Sequence, residues 1–183
     1  MENDRLLVLY PQKRGSEKER ARLDEVLEAA LDGIDAEIVE NMDLLEQDPE
    51  RYRGRRLLFA VPLGKNGINR GYYEVLAWLR GGEQVLSGAV GGMIIYAESE
   101  FYTKATAREL AVAANRAGCA FVGRPLVEGT ASLDNYLIQA ANMNTDRFGA
   151  YKKSAQILAH EILETEWELK KDCLLYTSPS PRD

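Results

Sequence analysis

Short apolar runs alternate with stretches in which apolar residues return every three or four positions, from one end of the chain to the other. Leu6-Leu7-Val8-Leu9-Tyr10 is continuously apolar and ends at Pro11, the pattern of a strand buried on both faces. Ser16 then offers an N-cap, with Glu17 and Glu19 where a helix dipole favours acid. Leu23, Val26, Leu27, Ala30 and Leu31 put one stripe of that helix on a core, and Gly33 ends it. Ala36-Glu37-Ile38-Val39 predicts a weaker second strand at or near a sheet edge. The charged stretch 42–56, with Asp48-Pro49, reads as a short helix plus loop.

Leu57-Leu58-Phe59-Ala60-Val61 is the third predicted strand, stopped by Pro62. After a loop rich in Gly and Asn, Tyr72, Val75, Leu76 and Leu79 predict a short amphipathic helix closed by Gly81-Gly82. A fourth strand runs through Gly92-Met93-Ile94-Ile95-Tyr96. Thr103, Ala107, Leu110, Ala111 and Ala114 mark a helix with a small-residue face, C-capped by Gly118. The fifth strand, Cys119-Ala120-Phe121-Val122-Gly123, is again followed by a proline, Pro125. Phe148, Tyr151, Ala155, Leu158 and Ile162 form the seam of a last helical region. Strands alternating with helices predict crossover connections and a parallel sheet covered on both faces. Neither an internal repeat nor an interdomain linker interrupts the pattern, so one α/β domain over residues 1–172 is expected.

Composition narrows the setting. A chain of 183 residues that is 45% hydrophobic suits one folded domain. Net charge of −6, from 23 basic and 29 acidic residues, argues against general nucleic-acid binding. No apolar run approaches the roughly 18 residues of a membrane span, and the start Met1-Glu2-Asn3-Asp4-Arg5 is not a signal peptide. Two cysteines without a Cys/His cluster predict neither a zinc framework nor a disulfide scaffold, which makes a reducing cytoplasm the expected compartment. The last eleven residues, 173–183, fit nothing before them and read like one frame of a transposon-type sequencing adapter. They are set aside as a non-native tail.

In an open parallel sheet, ligands bind beyond the carboxyl ends of the strands. Three loops there share a chemistry: Gln12-Lys13-Arg14-Gly15-Ser16, leading into a helix N-terminus; the stretch from Gly64 to Gly71; and the stretch from Ala97 to Lys104. With Arg124 after the fifth strand, they predict that Lys13, Arg14, Lys65, Arg70, Lys104 and Arg124 gather at one end of an acidic protein. That arrangement points to an anion site, most simply a phosphate on the first loop. Charged surface loops with no ligand are the competing reading.

Other sites fail on spacing. The first loop has a single Gly where a dinucleotide fingerprint needs GxGxxG, and Gly64-Lys65-Asn66 does not make a P-loop. Tyr10-Pro11 and Val61-Pro62 stand where a phospho-acceptor receiver domain would carry metal-binding acids. His160 falls between the seam positions Leu158 and Ile162 and is expected on the surface. Cys119, starting a buried strand, reads as a small core residue. Neither supports a Ser-His or Cys-His hydrolase, so chemistry at the strand ends would come from a bound cofactor.

The five βα units, the Gly15-Ser16 turn after the first strand, the Pro62-Leu63-Gly64 break after the third and the Ala117-Gly118-Cys119 turn before the fifth resemble the flavodoxin-like superfamily. Within it the NAD(P)H-dependent FMN reductases and flavodoxin-family proteins are the nearest match. The resemblance implies a three-layer α-β-α sandwich with strand order 2-1-3-4-5. It implies FMN, whose phosphate would be wrapped by Gln12, Arg14, Gly15 and Ser16. The loops 62–67 (Pro62, Leu63, Gly64, Lys65, Asn66, Gly67) and 96–102 would flank the flavin ring, with Tyr96, Phe101 and Tyr102 stacking on or edging it. NAD(P)H as electron donor, a small-molecule or protein electron acceptor, and a homodimer are implied in the same way. This chain departs from the pattern in having one hydroxyl, Ser16, in its first loop and Glu98-Ser99-Glu100 where a Gly-Gly pair is usual. Two functions therefore stand side by side: an FMN-dependent reductase, and a module that kept the fold without the flavin and acts as a partner domain.

Overall fold

The computed structural model describes residues 5–11, 17–82 and 84–165, with the backbone alone at Lys65. β1 (Leu6–Leu9) leads through α1 (Glu17–Ala30) to β2 (Ala36–Val39), and 3-10 turns at Met42–Leu44 and Pro49–Tyr52 lead on to β3 (Arg56–Pro62). A third such turn, Lys65–Gly67, precedes α2 (Arg70–Gly81), followed by β4 (Val90–Ala97), α3 (Glu100–Arg116) and β5 (Ala120–Thr130). A 3-10 turn at Asp134–Tyr136, α4 (Leu137–Met143) and α5 (Arg147–Glu164) complete the described chain. All five strands are parallel in one sheet ordered β2-β1-β3-β4-β5.

Alternation along the strands divides the apolar residues between two cores. Leu7, Leu9, Phe59, Val61, Met93 and Ile95 meet the faces of α2 and α3. Leu6, Val8, Leu58, Ala60, Ile94 and Tyr96 meet α1 and α5 on the other side. A continuously apolar strand is thus the direct result of lying between two helical layers, each buried side chain contributing roughly 1.5–3 kcal/mol. β2 lies at the edge of the sheet, where Ile38 stays exposed.

Two expectations are corrected. Pro125 does not end the fifth strand, which continues to Thr130. Gly91 pairs with Phe121 but Met93 pairs with Leu126, so residues 122–125 stand opposite Gly92 alone. An edge strand tolerates a proline where such a bulge interrupts the ladder, because no N–H is needed there. Arg124 consequently sits in mid-strand and not beyond its carboxyl end. The second correction is α4, a short helix between β5 and α5 that the periodicity did not signal. Among the described residues no helix is long and apolar enough to cross a membrane.

Helix α5 offers a direct check on the layer it forms. Leu158 is buried over the backbone of Gly92 on β4, whereas its neighbour Ile157 is 45% exposed. Leu158→Ala should lower the unfolding free energy by about 2–5 kcal/mol in urea titrations, and Ile157→Ala by far less. Similar costs at the two positions would contradict the orientation of this helix.

Candidate functional site

β1 and β3 are adjacent, and both leave the sheet through a proline, Pro11 and Pro62. Between their exits lies Asn69, only 1% exposed, at the N-cap of α2. Its Nδ2 donates to the carbonyl of Pro62 at 2.6 Å and of Pro11 at 3.2 Å, while its Oδ1 accepts the N–H of Tyr72 at 3.0 Å. One amide therefore fixes two strand exits and the start of a helix, satisfying groups that would otherwise be buried unpaired. The helix closes on the first exit so tightly that a Cβ at Gly71 would lie 2.8 Å from Pro11 Cβ.

Pro62, Leu63 and Gly64 are buried behind this junction, and the chain then turns through Asn66 and Gly67 with φ of 62° and 73°. The left-handed pair brings bare backbone against the first turn of α3: a Cβ at Gly67 would lie 2.5 Å from Tyr102 Cδ1. Phe101 is 77% exposed and meets Tyr102 edge-on, with ring centroids 5.6 Å apart. Asn66 and Ile68 are exposed on the same turn. Tyr96 is placed elsewhere. Its position on β4 sends the ring into the core beside α5, where it stacks on Tyr151 at 6.2 Å, so it does not offer a face to a ligand at the rim. Burial raises its phenol pKa above the ordinary range.

The predicted cations are only partly assembled. Arg70, exposed at the first position of α2, has no ion pair among the described residues. Lys104 is taken by Glu100 at 2.9 Å and lies 4.0 Å from Glu128, and these carboxylates hold its ammonium above the ordinary range. Glu128, near the end of β5, accepts a 2.7 Å hydrogen bond from the buried Thr103 hydroxyl. Arg124 is remote from this rim for the reason given above. Gln12, Lys13, Arg14, Gly15 and Ser16, like the tail 173–183, lie outside the described residues, as does the Lys65 side chain.

His160 is exposed on α5, and Cys119 is buried just before β5 with its Sγ–H directed to the Ala120 carbonyl at 3.3 Å. Asn69 and the Glu128–Thr103 pair were not singled out from the sequence. An Asn one residue ahead of an apolar-periodic helix is a recognisable cap, but its second and third roles depend on carbonyls 58 and 7 residues away.

Strand order, the two helical layers and the loops at the carboxyl rim define a flavodoxin-like fold. Solved structures similar to the chain are an oxidoreductase from Corynebacterium diphtheriae, at 14% identity and TM-score 0.57, matched over 88% of this chain and 98% of that one. Oxidised flavodoxin 1 from Bacillus cereus matches at 12% identity and TM-score 0.54, over 89% and 99% of the two chains. An apo NADH:FMN oxidoreductase matches at 12% identity and TM-score 0.56, over 90% and 91%. No family model and no curated protein matches the chain.

Asn69→Ala removes the cap and strands two carbonyls, so unfolding free energy should fall by about 2–4 kcal/mol in chemical denaturation. Asn69→Asp keeps the cap but sets a carboxylate against both carbonyls. Its deficit should shrink as pH falls and the acid becomes a donor; a pH-independent deficit would contradict this geometry. Burial pushes the Cys119 thiol up to about 12. At pH 8 about one thiol in ten thousand is then ionised, so peptide mapping after alkylation should find Cys119 labelled only when urea unfolds the chain.

Proposed function

We propose that the chain is a flavin-linked redox protein of the cytoplasm that binds FMN at the carboxyl rim, with NAD(P)H as donor and a small molecule or protein as acceptor. The observation that carries this reading is the platform at Gly67, where backbone without a side chain carries the aromatic ring of Tyr102. A flat heteroaromatic group fits such a platform, with Pro62, Leu63 and Gly64 as its backing and the exposed Asn66, Ile68 and Phe101 beside it. The fold supports the same reading, since a flavodoxin and an NADH:FMN oxidoreductase are among the similar structures.

FMN, when bound, supplies the electron chemistry. The chain's own residues bind and orient. Backbone N–H groups of the first loop and the Ser16 hydroxyl would hold the phosphate at the start of α1, with Gln12, Arg14 and Gly15 around it, and Lys65 would stand by the flavin ring. Asn69 keeps the exits of β1 and β3 at one separation, so the ring platform is held at a fixed place relative to the end of β1. Glu128 and Glu100 occupy Lys104, which leaves Arg70 as the described cation free to face an anion at this rim.

Purified protein should be yellow, or become yellow with FMN, and should oxidise NAD(P)H. Arg14→Ala should weaken FMN by about ten- to hundredfold, some 1.5–3 kcal/mol, and leave riboflavin binding little changed. Equal losses for the two ligands would place the phosphate elsewhere. A colourless protein that takes up no FMN overturns the redox reading and leaves a flavodoxin-like module that acts through its partners.

A further inference from the structure

At the end of the sheet opposite the rim, a cleft of about 470 Å³ opens beside the starts of β1 and β3. Arg5, Arg51, Arg53 and Arg55 line it with Glu37, Asp48 and Glu50. Three of these guanidiniums are engaged. Arg5 reaches Asp35 at 3.0 Å and Glu37 at 3.8 Å, Arg51 pairs with Glu37, and Arg53 meets Glu50 at 3.0 Å. Arg55 is different. Only 8% of it is exposed, its side chain has no hydrogen bond or ion pair among the described residues, and its Nε–H is shut off from solvent without an acceptor.

Buried charges are costly unless paired or bound to a ligand, and Arg55 lines a cleft from which an acceptor can reach it. We propose that this cleft binds a phosphate group, free or as a small monoester, held by Arg55 with Arg53 as second donor. Arg53 can be recruited because its partner Glu50 lies three residues away and the two side chains are 43% and 70% exposed, which makes a weak and exchangeable pair. Two guanidiniums match the charge of roughly −1.5 to −2 on a phosphate monoester at neutral pH, and their forked N–H groups match its oxygens. A lone carboxylate would satisfy Arg55 and leave Arg53 unused. The volume suits a small molecule. No residue is shared with the carboxyl rim, so the site does not rest on the flavin reading.

The test is amide NMR of the full chain titrated with glycerol 3-phosphate or inorganic phosphate, ionic strength being held constant with chloride. Signals of residues 51–56 should shift saturably with either probe. Monoester affinity should rise with pH through about 6, as the second phosphate proton leaves and charge on the ligand increases. Arg55→Met keeps an apolar stem in the buried position, removes the charge, and should weaken binding at least tenfold; Arg53→Gln should weaken it several-fold. Unchanged affinity in Arg55→Met overturns the proposal. If that variant does not fold, the wild-type map decides: shifts confined to Tyr10 and the start of α1, or equal shifts with acetate, overturn it as well.

Discussion

The buried amide of Asn69 is the joint on which the carboxyl end of the sheet depends. Two adjacent parallel strands end at prolines, and a proline has no N–H with which to continue the ladder or enter a turn. The carbonyls of Pro11 and Pro62 are left facing an apolar interior, where an unpaired acceptor costs about 1–3 kcal/mol. The Asn69 amide has two N–H groups to meet them and an oxygen left for the Tyr72 N–H. A carboxylate has no proton to give, and a hydroxyl has only one. This residue type, and not simply a polar one, suits the position.

From that joint follows the shape of what lies above it. With the start of α2 held against Pro11, the chain between Pro62 and Asn69 is short, and it closes through the left-handed Asn66 and Gly67. Bare backbone is thereby pressed on the first turn of α3, and Tyr102 rests on it. The same turn of α3 carries Thr103, which holds Glu128 of β5, and Lys104, which is balanced by Glu100 and Glu128. The exits of β1, β3, β4 and β5 are thus linked by a continuous set of contacts at the carboxyl rim.

The two ends of the sheet handle charge in different ways. At the carboxyl end the acids of α3 and β5 pair with one exposed cation, Lys104, and leave Arg70 unpaired among the described residues. At the amino end, arginines that precede β1 and β3 are crowded by strand pairing, since Leu6 lies beside Arg56 in the sheet register. Glu37 on β2 and Glu50 on the turn before β3 absorb part of that charge, but the Arg55 side chain is left buried without a partner among the described residues. The local run Arg51-Tyr52-Arg53-Gly54-Arg55 supplies three of the cleft's arginines, and strand pairing brings Arg5 and Glu37 to them.

Periodicity alone determined the five strands, four of the helices, the parallel sheet and the edge position of β2, because burial between two helical layers imprints a continuous apolar run on each inner strand. The small-residue face of α3 and the core position of Cys119 were legible for the same reason. Long-range register decided the rest. Pro125 looked like a terminator until the bulge opposite Gly92 carried β5 onward and moved Arg124 off the rim. Tyr96 belonged to an aromatic loop in the sequence and to the core in three dimensions, since side chains on a strand alternate between faces and only the fold says which face is filled. Asn69 and Arg55 owe their environments to residues brought beside them by strand pairing, contacts between distant segments that no local pattern encodes.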